Sequence, residues 1–166
     1  MAITPDNRFA QFDTAISLAA LANVLELEGA FDEVAPLLER SLVIRRHLAE
    51  TDPANVQIKQ GLGHVLAFLA RVQVKRDESS AARSRAQEAV RVLQALFEVT
   101  KDRSAQDGLA YAWTALGLAQ RAAGDRGQSC HRRANELYST VQSVNPDRQI
   151  FRDEAGREAA ACRGTS

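Results

Sequence analysis

Trp113-Thr114-Ala115-Leu116-Gly117, followed by Ala123-Gly124-Asp125, constrains this chain more than any other stretch. Two large apolar side chains three residues apart share one side of a helix. The glycine beside them lets a second helix approach closely, and the next glycine can take the left-handed conformation that reverses a chain. Weaker copies stand at Leu21-Ala22 and Leu62-Gly63. One two-helix unit used several times is therefore the first expectation.

The rest of the chain supports helices throughout. Thr4-Pro5-Asp6 supplies a cap, a first-turn proline and an early acid, so a helix start is predicted there. Phe9, Phe12, Ile16, Ala19, Ala20, Val24 and Leu27 recur at three- and four-residue steps and predict an inward stripe ending at Gly29. A second helix is expected from about Asp32 to Glu50, with Val34, Leu38 and Leu42 on its apolar face and Arg45 toward a basic edge. Thr51-Asp52-Pro53 repeats the cap-then-proline signal and predicts a third helix from Pro53 to about Lys75. After a break at Asp77-Glu78-Ser79-Ser80, a fourth runs to Thr100. Ser104-Ala105-Gln106-Asp107 resembles a capping box that opens a fifth helix, with Trp113 inside it and Gly124 at its end. A sixth is expected over about Gly127 to Val144, and Asn145-Pro146-Asp147 opens a last one to about Cys162. No stretch reads as a strand. Aromatics are only 5% of the chain while alanine and leucine are frequent, which suits closely packed helices better than sheets.

Aligning Leu21, Leu62 and Leu116 places Gly29, Ala70 and Gly124 at one turn position. The unequal spacing of these leucines predicts a middle pair about two turns longer in each helix than its neighbours.

The segment from Gly29-Ala30-Phe31-Asp32-Glu33 to Leu42-Val43-Ile44-Arg45-Arg46, with the link Leu48-Ala49-Glu50-Thr51-Asp52-Pro53-Ala54-Asn55, resembles the tetratricopeptide repeat (TPR). It is similar to the long, roughly 42-residue kinesin-light-chain type, and to the like repeats found in tandem in bacterial multidomain proteins. The likeness covers about 13–147 and is weakest over 71–90. The resemblance implies an all-α, right-handed α-solenoid of three antiparallel helix pairs plus a C-terminal capping helix. The expected division is a single domain over 1–162, with pairs at about 5–51, 53–101 and 104–144, a capping helix at 146–162 and a frayed tail at 163–166. It also implies a protein-interaction scaffold that holds a partner peptide or protein on its concave face. Carried over by position, the groove consists of Asn23 and Glu26, then Gln57, Gln60 and His64, then Tyr111, Thr114, Leu118 and Arg121. The carboxylate clamp of chaperone-binding repeats would fall on Ala19, Asn23, Gly61, Tyr111 and Ala115, where only Asn23 agrees. Binding of chaperone tails is not expected.

Other chemistry finds little support. The 21 basic and 21 acidic side chains balance, which removes the usual electrostatic case for nucleic acid. Arg71, Lys75, Arg76, Arg83 and Arg85 form one basic cluster and Arg121, Arg126, Arg132 and Arg133 another, either of which could meet an acidic partner. Cys130-His131 is a tempting pair, but adjacent helical residues point about 100° apart and do not readily share one metal. His47 and His64 have no further ligand at suitable spacing, so no metal and no cofactor is expected. No phosphate loop or nucleophile elbow is present, and Asp32-Glu33 and Asp153-Glu154 suit helix starts, so the chain is not expected to be an enzyme. Two cysteines, Cys130 and Cys162, read as free thiols. No apolar run approaches the ~20 residues of a membrane span, and Met1 to Asp6 lacks a secretory pattern, so a cytoplasmic location is expected. Two rival readings remain open. One is a non-catalytic tail of a larger bacterial signalling protein, of kinase or cyclase type. The other is a self-associating module, a homo-oligomer joined through the N-terminal end face by Phe9 and Phe12.

Overall fold

The computed structural model describes residues 7–125, 128–140 and 153. Among these, six helices follow one another with no strand: α1 Arg8–Leu27, α2 Phe31–Thr51, α3 Val56–Lys75, α4 Ser79–Thr100, α5 Arg103–Ala122 and α6 Gln128–Thr140. Each helix packs on the next, and α3 also packs directly on α5. The result is an all-α stack of three helix pairs. The expected capping helix at 146–162 lies outside the described residues, as does the helix start at Thr4-Pro5-Asp6.

The starts of α1, α3 and α5 are set by side-chain caps, at other residues than the sequence suggested. Asn7 Oδ1 accepts from the Ala10 amide at 3.1 Å and opens α1. Asn55 Oδ1 accepts from the Ile58 amide at 3.2 Å, so α3 begins after Pro53 rather than at it. Asp102 Oδ1 accepts from the Ala105 amide at 2.6 Å, replacing Ser104 as the cap of α5. In all three cases a short oxygen-bearing side chain satisfies an amide that the first helical turn leaves without a partner.

The first two pairs match in length and the three opening helices are equal, which corrects the expectation of longer helices in the middle pair. α1, α3 and α5 each have 20 residues, and α2 and α4 have 21 and 22. The opening helices begin at Arg8, Val56 and Arg103, 48 and 47 residues apart. This spacing exceeds that of the long repeat type the sequence resembles. In the true register Leu21 matches Leu69 and Leu116, so Leu62 was the wrong anchor.

The reversals confirm that register. Gly29, Asp77 and Gly124 occupy the same place, and all three have positive φ, at 76°, 59° and 84°. Their hydrogen bonds also repeat. Gly29 donates to the Glu26 carbonyl and Ala30 to Leu25, Asp77 to Val74 and Glu78 to Gln73, and Gly124 to Arg121 and Asp125 to Gln120, at 2.8–3.2 Å. This is the Schellman closure of a helix end. The middle reversal thus uses Asp77, not Ala70, and aspartate is among the few residues that tolerate this conformation.

Small residues recur at the eighth and fifteenth positions of each opening helix: Ala15 and Ala22, Gly63 and Ala70, Ala110 and Gly117. All six are buried. They form notches into which the second helix of the pair sinks. At Gly63 an added Cβ would overlap the Leu93 side chain of α4, and at Gly108 it would meet His64 of α3. The main core gathers Leu38, Leu42, Leu66, Leu69, Leu93 and Leu109 around α3.

The first helix departs most from its predicted orientation. Ala15 and Ala22 are its buried residues, and Phe12 is half-buried. Phe9, Ile16, Val24 and Leu27 face outward instead, with Phe9 85% and Leu27 82% exposed. The apolar stripe read as the inner face is therefore an outer one. The small-residue notch decides the rotation, because α2 approaches most closely where alanine allows it.

On the opposite flank α2 and α4 are joined by ion pairs, Arg46 with Glu88 at 2.7 Å and Arg85 with Glu39 at 3.1 Å. Among the described residues no helix is long and apolar enough to cross a membrane.

Candidate functional site

The nine candidate groove residues all lie on the opening helices α1, α3 and α5, as their sequence positions require. The structure joins two of them, Glu26 and Tyr111, through a residue that the sequence reading had assigned elsewhere, and a third, His64, rests on Tyr111. Arg71 Nη1 lies 3.5 Å from Glu26 Oε1 of α1 and donates to the Tyr111 hydroxyl of α5 at 3.3 Å. Its guanidinium also stands 5.6 Å from the centre of the Tyr111 ring. His64 meets that ring edge-on at 6.4 Å. One guanidinium thus ties α1, α3 and α5 together, and its burial among fixed partners makes each contact stronger than it would be in water. A neighbouring bridge runs from the Gln60 amide of α3 to the Ser104 hydroxyl of α5.

The remaining candidates differ in access. Asn23, Gln57 and Arg121 are exposed, while Glu26, Gln60, His64 and Leu118 are partly so. Thr114 is fully buried, with its hydroxyl donating to the Ala110 carbonyl at 3.0 Å, and Tyr111 is buried as well. Neither offers a free contact surface, because both side chains turn into the helix packing. Trp113 is half-buried between α5 and α6, against Ala110, Ala134 and Leu137.

The first basic cluster is partly neutralised within the chain, while Lys75 and Arg83 are exposed. Arg71 is buried, Arg76 pairs with Asp32 and Glu78 at 3.2 Å each, and Arg85 pairs with Glu39. The pairs of Arg76 and Arg85 reduce the positive charge around the middle turn, whereas Arg121, Arg132 and Arg133 of the second cluster are exposed. In the second cluster, Arg126 lies outside the described residues. Among the described residues no group of three or more His, Cys, Asp or Glu could hold a metal ion. The side chains of Cys130 and His131 fall outside them too.

The sequence reading missed a further residue, Arg45. It was placed at a basic edge of α2, yet only 7% of it is exposed. Its Nε donates to the Ser41 hydroxyl at 3.3 Å, and that hydroxyl donates to the Ala15 carbonyl of α1 at 2.8 Å. The guanidinium then reaches α3 at Gly61, where an added Cβ would overlap it. A mid-helix glycine with no turn to make was the available signal: Gly61 marks a close approach. Burial lowers the pKa of this guanidinium by desolvating its charge.

No protein-family model matches this chain, and no curated protein matches it by sequence. Among solved structures it is similar to a TPR-like protein from Chlorobium tepidum TLS, with a TM-score of 0.67 and 15% identity. The match covers 93% of this chain and 97% of that one. The fold is therefore TPR-like, over nearly the whole length of both proteins.

Proposed function

We propose that this protein is a scaffold that holds a peptide or protein partner along the wall formed by α1, α3 and α5. The observation that carries this reading is the Arg71 link, which ties the three opening helices α1, α3 and α5 to one another. A preformed surface lowers the ordering cost of binding, and helical-repeat proteins commonly use such extended faces. Asn23, Gln57 and Arg121 are the exposed contacts on this reading, with Glu26, Gln60, His64 and Leu118 at their edges.

The test is affinity capture from native lysate with wild type and with a variant carrying Asn23→Ala, His64→Ala and Arg121→Ala. The expected result is a partner retained by wild type and lost by the folded variant. Equal retention by both would remove the wall from consideration.

The outer stripe of α1 favours a second reading, contact between copies of this chain. The outer flanks of α3 and α5 are covered by α2 and α4, whereas Phe9, Ile16, Val24 and Leu27 are exposed. A stripe with the chemistry of an internal joint suits a second copy stacked end-on. Phe12 is half-buried and takes no part. Sedimentation equilibrium is expected to show mass rising with concentration, and Phe9→Glu is expected to return the protein to a monomer. A wild type that stays monomeric at high concentration would exclude this reading.

A further inference from the structure

A cation without an ionic partner lies under the seam between α1 and α3. Arg45 forms no ion pair among the described residues, and its only hydrogen bond there is the long one from Nε to Ser41. A desolvated charge of this kind is strongly unfavourable unless something neutralises it. The residue keeps 7% of its surface exposed. The direction of the side chain follows from the neighbours of Arg45 on α2. Ser41, one turn earlier, bonds to α1, while Glu39 and Arg46 face α4 on the opposite flank. The Arg45 side chain leaves α2 between these two directions and ends against Gly61 of α3. Gly61 shares one face of α3 with Gln57 and His64, a turn before and after it, so the guanidinium ends beside the candidate wall.

We infer that the Arg45 guanidinium, seated between α1 and α3 beside Gly61, is an anchor for a carboxylate side chain of a bound peptide. This rests on the scaffold reading and narrows it, since the partner would be an acidic segment. A guanidinium offers parallel N–H groups that match a carboxylate in two bonds, and here Nε is already held by Ser41. That hydrogen bond and the packing against Gly61 fix the planar group in place before the ligand arrives. Gly61 is required because any side chain there would displace the guanidinium.

The experiment uses two fluorescein-labelled decapeptides, one alternating glutamate and alanine, the other alternating glutamine and alanine. Anisotropy is read at low salt with wild type and with Arg45→Met. Wild type is expected to bind the glutamate peptide and not the glutamine one. Arg45→Met is expected to bind the glutamate peptide about tenfold more weakly or worse, the scale of losing one partner of a desolvated charge pair. Urea unfolding is expected to find this variant at least as stable as wild type, because a buried charge is replaced by an apolar chain of similar volume. Stability kept while binding falls separates an anchor from a merely structural arginine. Equal affinity of the two proteins, or no binding by wild type at millimolar protein, overturns the anchor. Either result leaves the scaffold reading to stand or fall by the lysate capture. If Arg45→Met does not fold, the Arg45 Nε–H resonance of wild type decides. It must move with the glutamate peptide and stay with the glutamine one, and a stationary signal overturns the proposal.

Discussion

Leu93→Ala is expected to lower the free energy of unfolding by about 3–5 kcal/mol, the upper range for truncating a buried leucine. Leu93 is fully buried in α4, and its branched end fills the notch left by Gly63 of α3. One of its methyls also lies 3.4 Å from where a Cβ on Gly108 would be. Truncation leaves a hollow floored by glycine backbone, which has no side chain to swing inward, so little of the space can close. A urea titration with unchanged slope would measure the loss. A change under about 1 kcal/mol would mean that α3 and α4 collapse onto one another despite the ridge of backbone between them. The pairing can also be read from the reverse substitution. Gly63→Ala alone should destabilise by about 1–3 kcal/mol through overpacking against Leu93. In the Leu93→Ala background the same methyl should be neutral or favourable, and that change of sign is the signature of direct coupling.

Arg71→Ala is the second large effect, expected at about 3 kcal/mol, toward the low end for removing one member of a buried charge pair. The low end applies because Glu26 keeps some solvent, its side chain being 18% exposed. The variant removes the cation beside the Glu26 carboxylate and one donor to the Tyr111 hydroxyl. It also removes the cation from the Tyr111 ring. Thermal unfolding of Arg71→Ala and Glu26→Gln, singly and together, would isolate the pair. If the losses simply add, the two side chains are neighbours without coupling and the three-helix link has no energetic content.

Much of the fold was legible because its punctuation is strong. Gly29 and Gly124 marked two reversals, and the three- and four-step apolar spacing marked the helices between them. The break at Asp77 was also read, but its equivalence to the two glycines was hidden, because Asp77 performs a glycine's conformational task without being glycine. Choosing Ala70 in its place shifted the register and produced the false long pair. The face of α1 was misread for a different reason. A helical wheel weights large apolar residues, whereas the actual contact follows Ala15 and Ala22, which contribute little hydrophobicity and a great deal of proximity. The candidate wall was legible as a set of positions, but not its inner ties. Arg71 and Arg45 look like surface charges in a linear reading, and only packing reveals that they lie inside.

The identical closures at Gly29, Asp77 and Gly124 have a consequence for the length of the molecule. Cutting the chain at corresponding points of two reversals and rejoining it would set like against like, with every helix keeping its phase. The array is in this sense divisible, like a measuring rod with marked intervals. Its working surface can be shortened or extended only by whole intervals, each carrying one opening helix and therefore one further strip of wall.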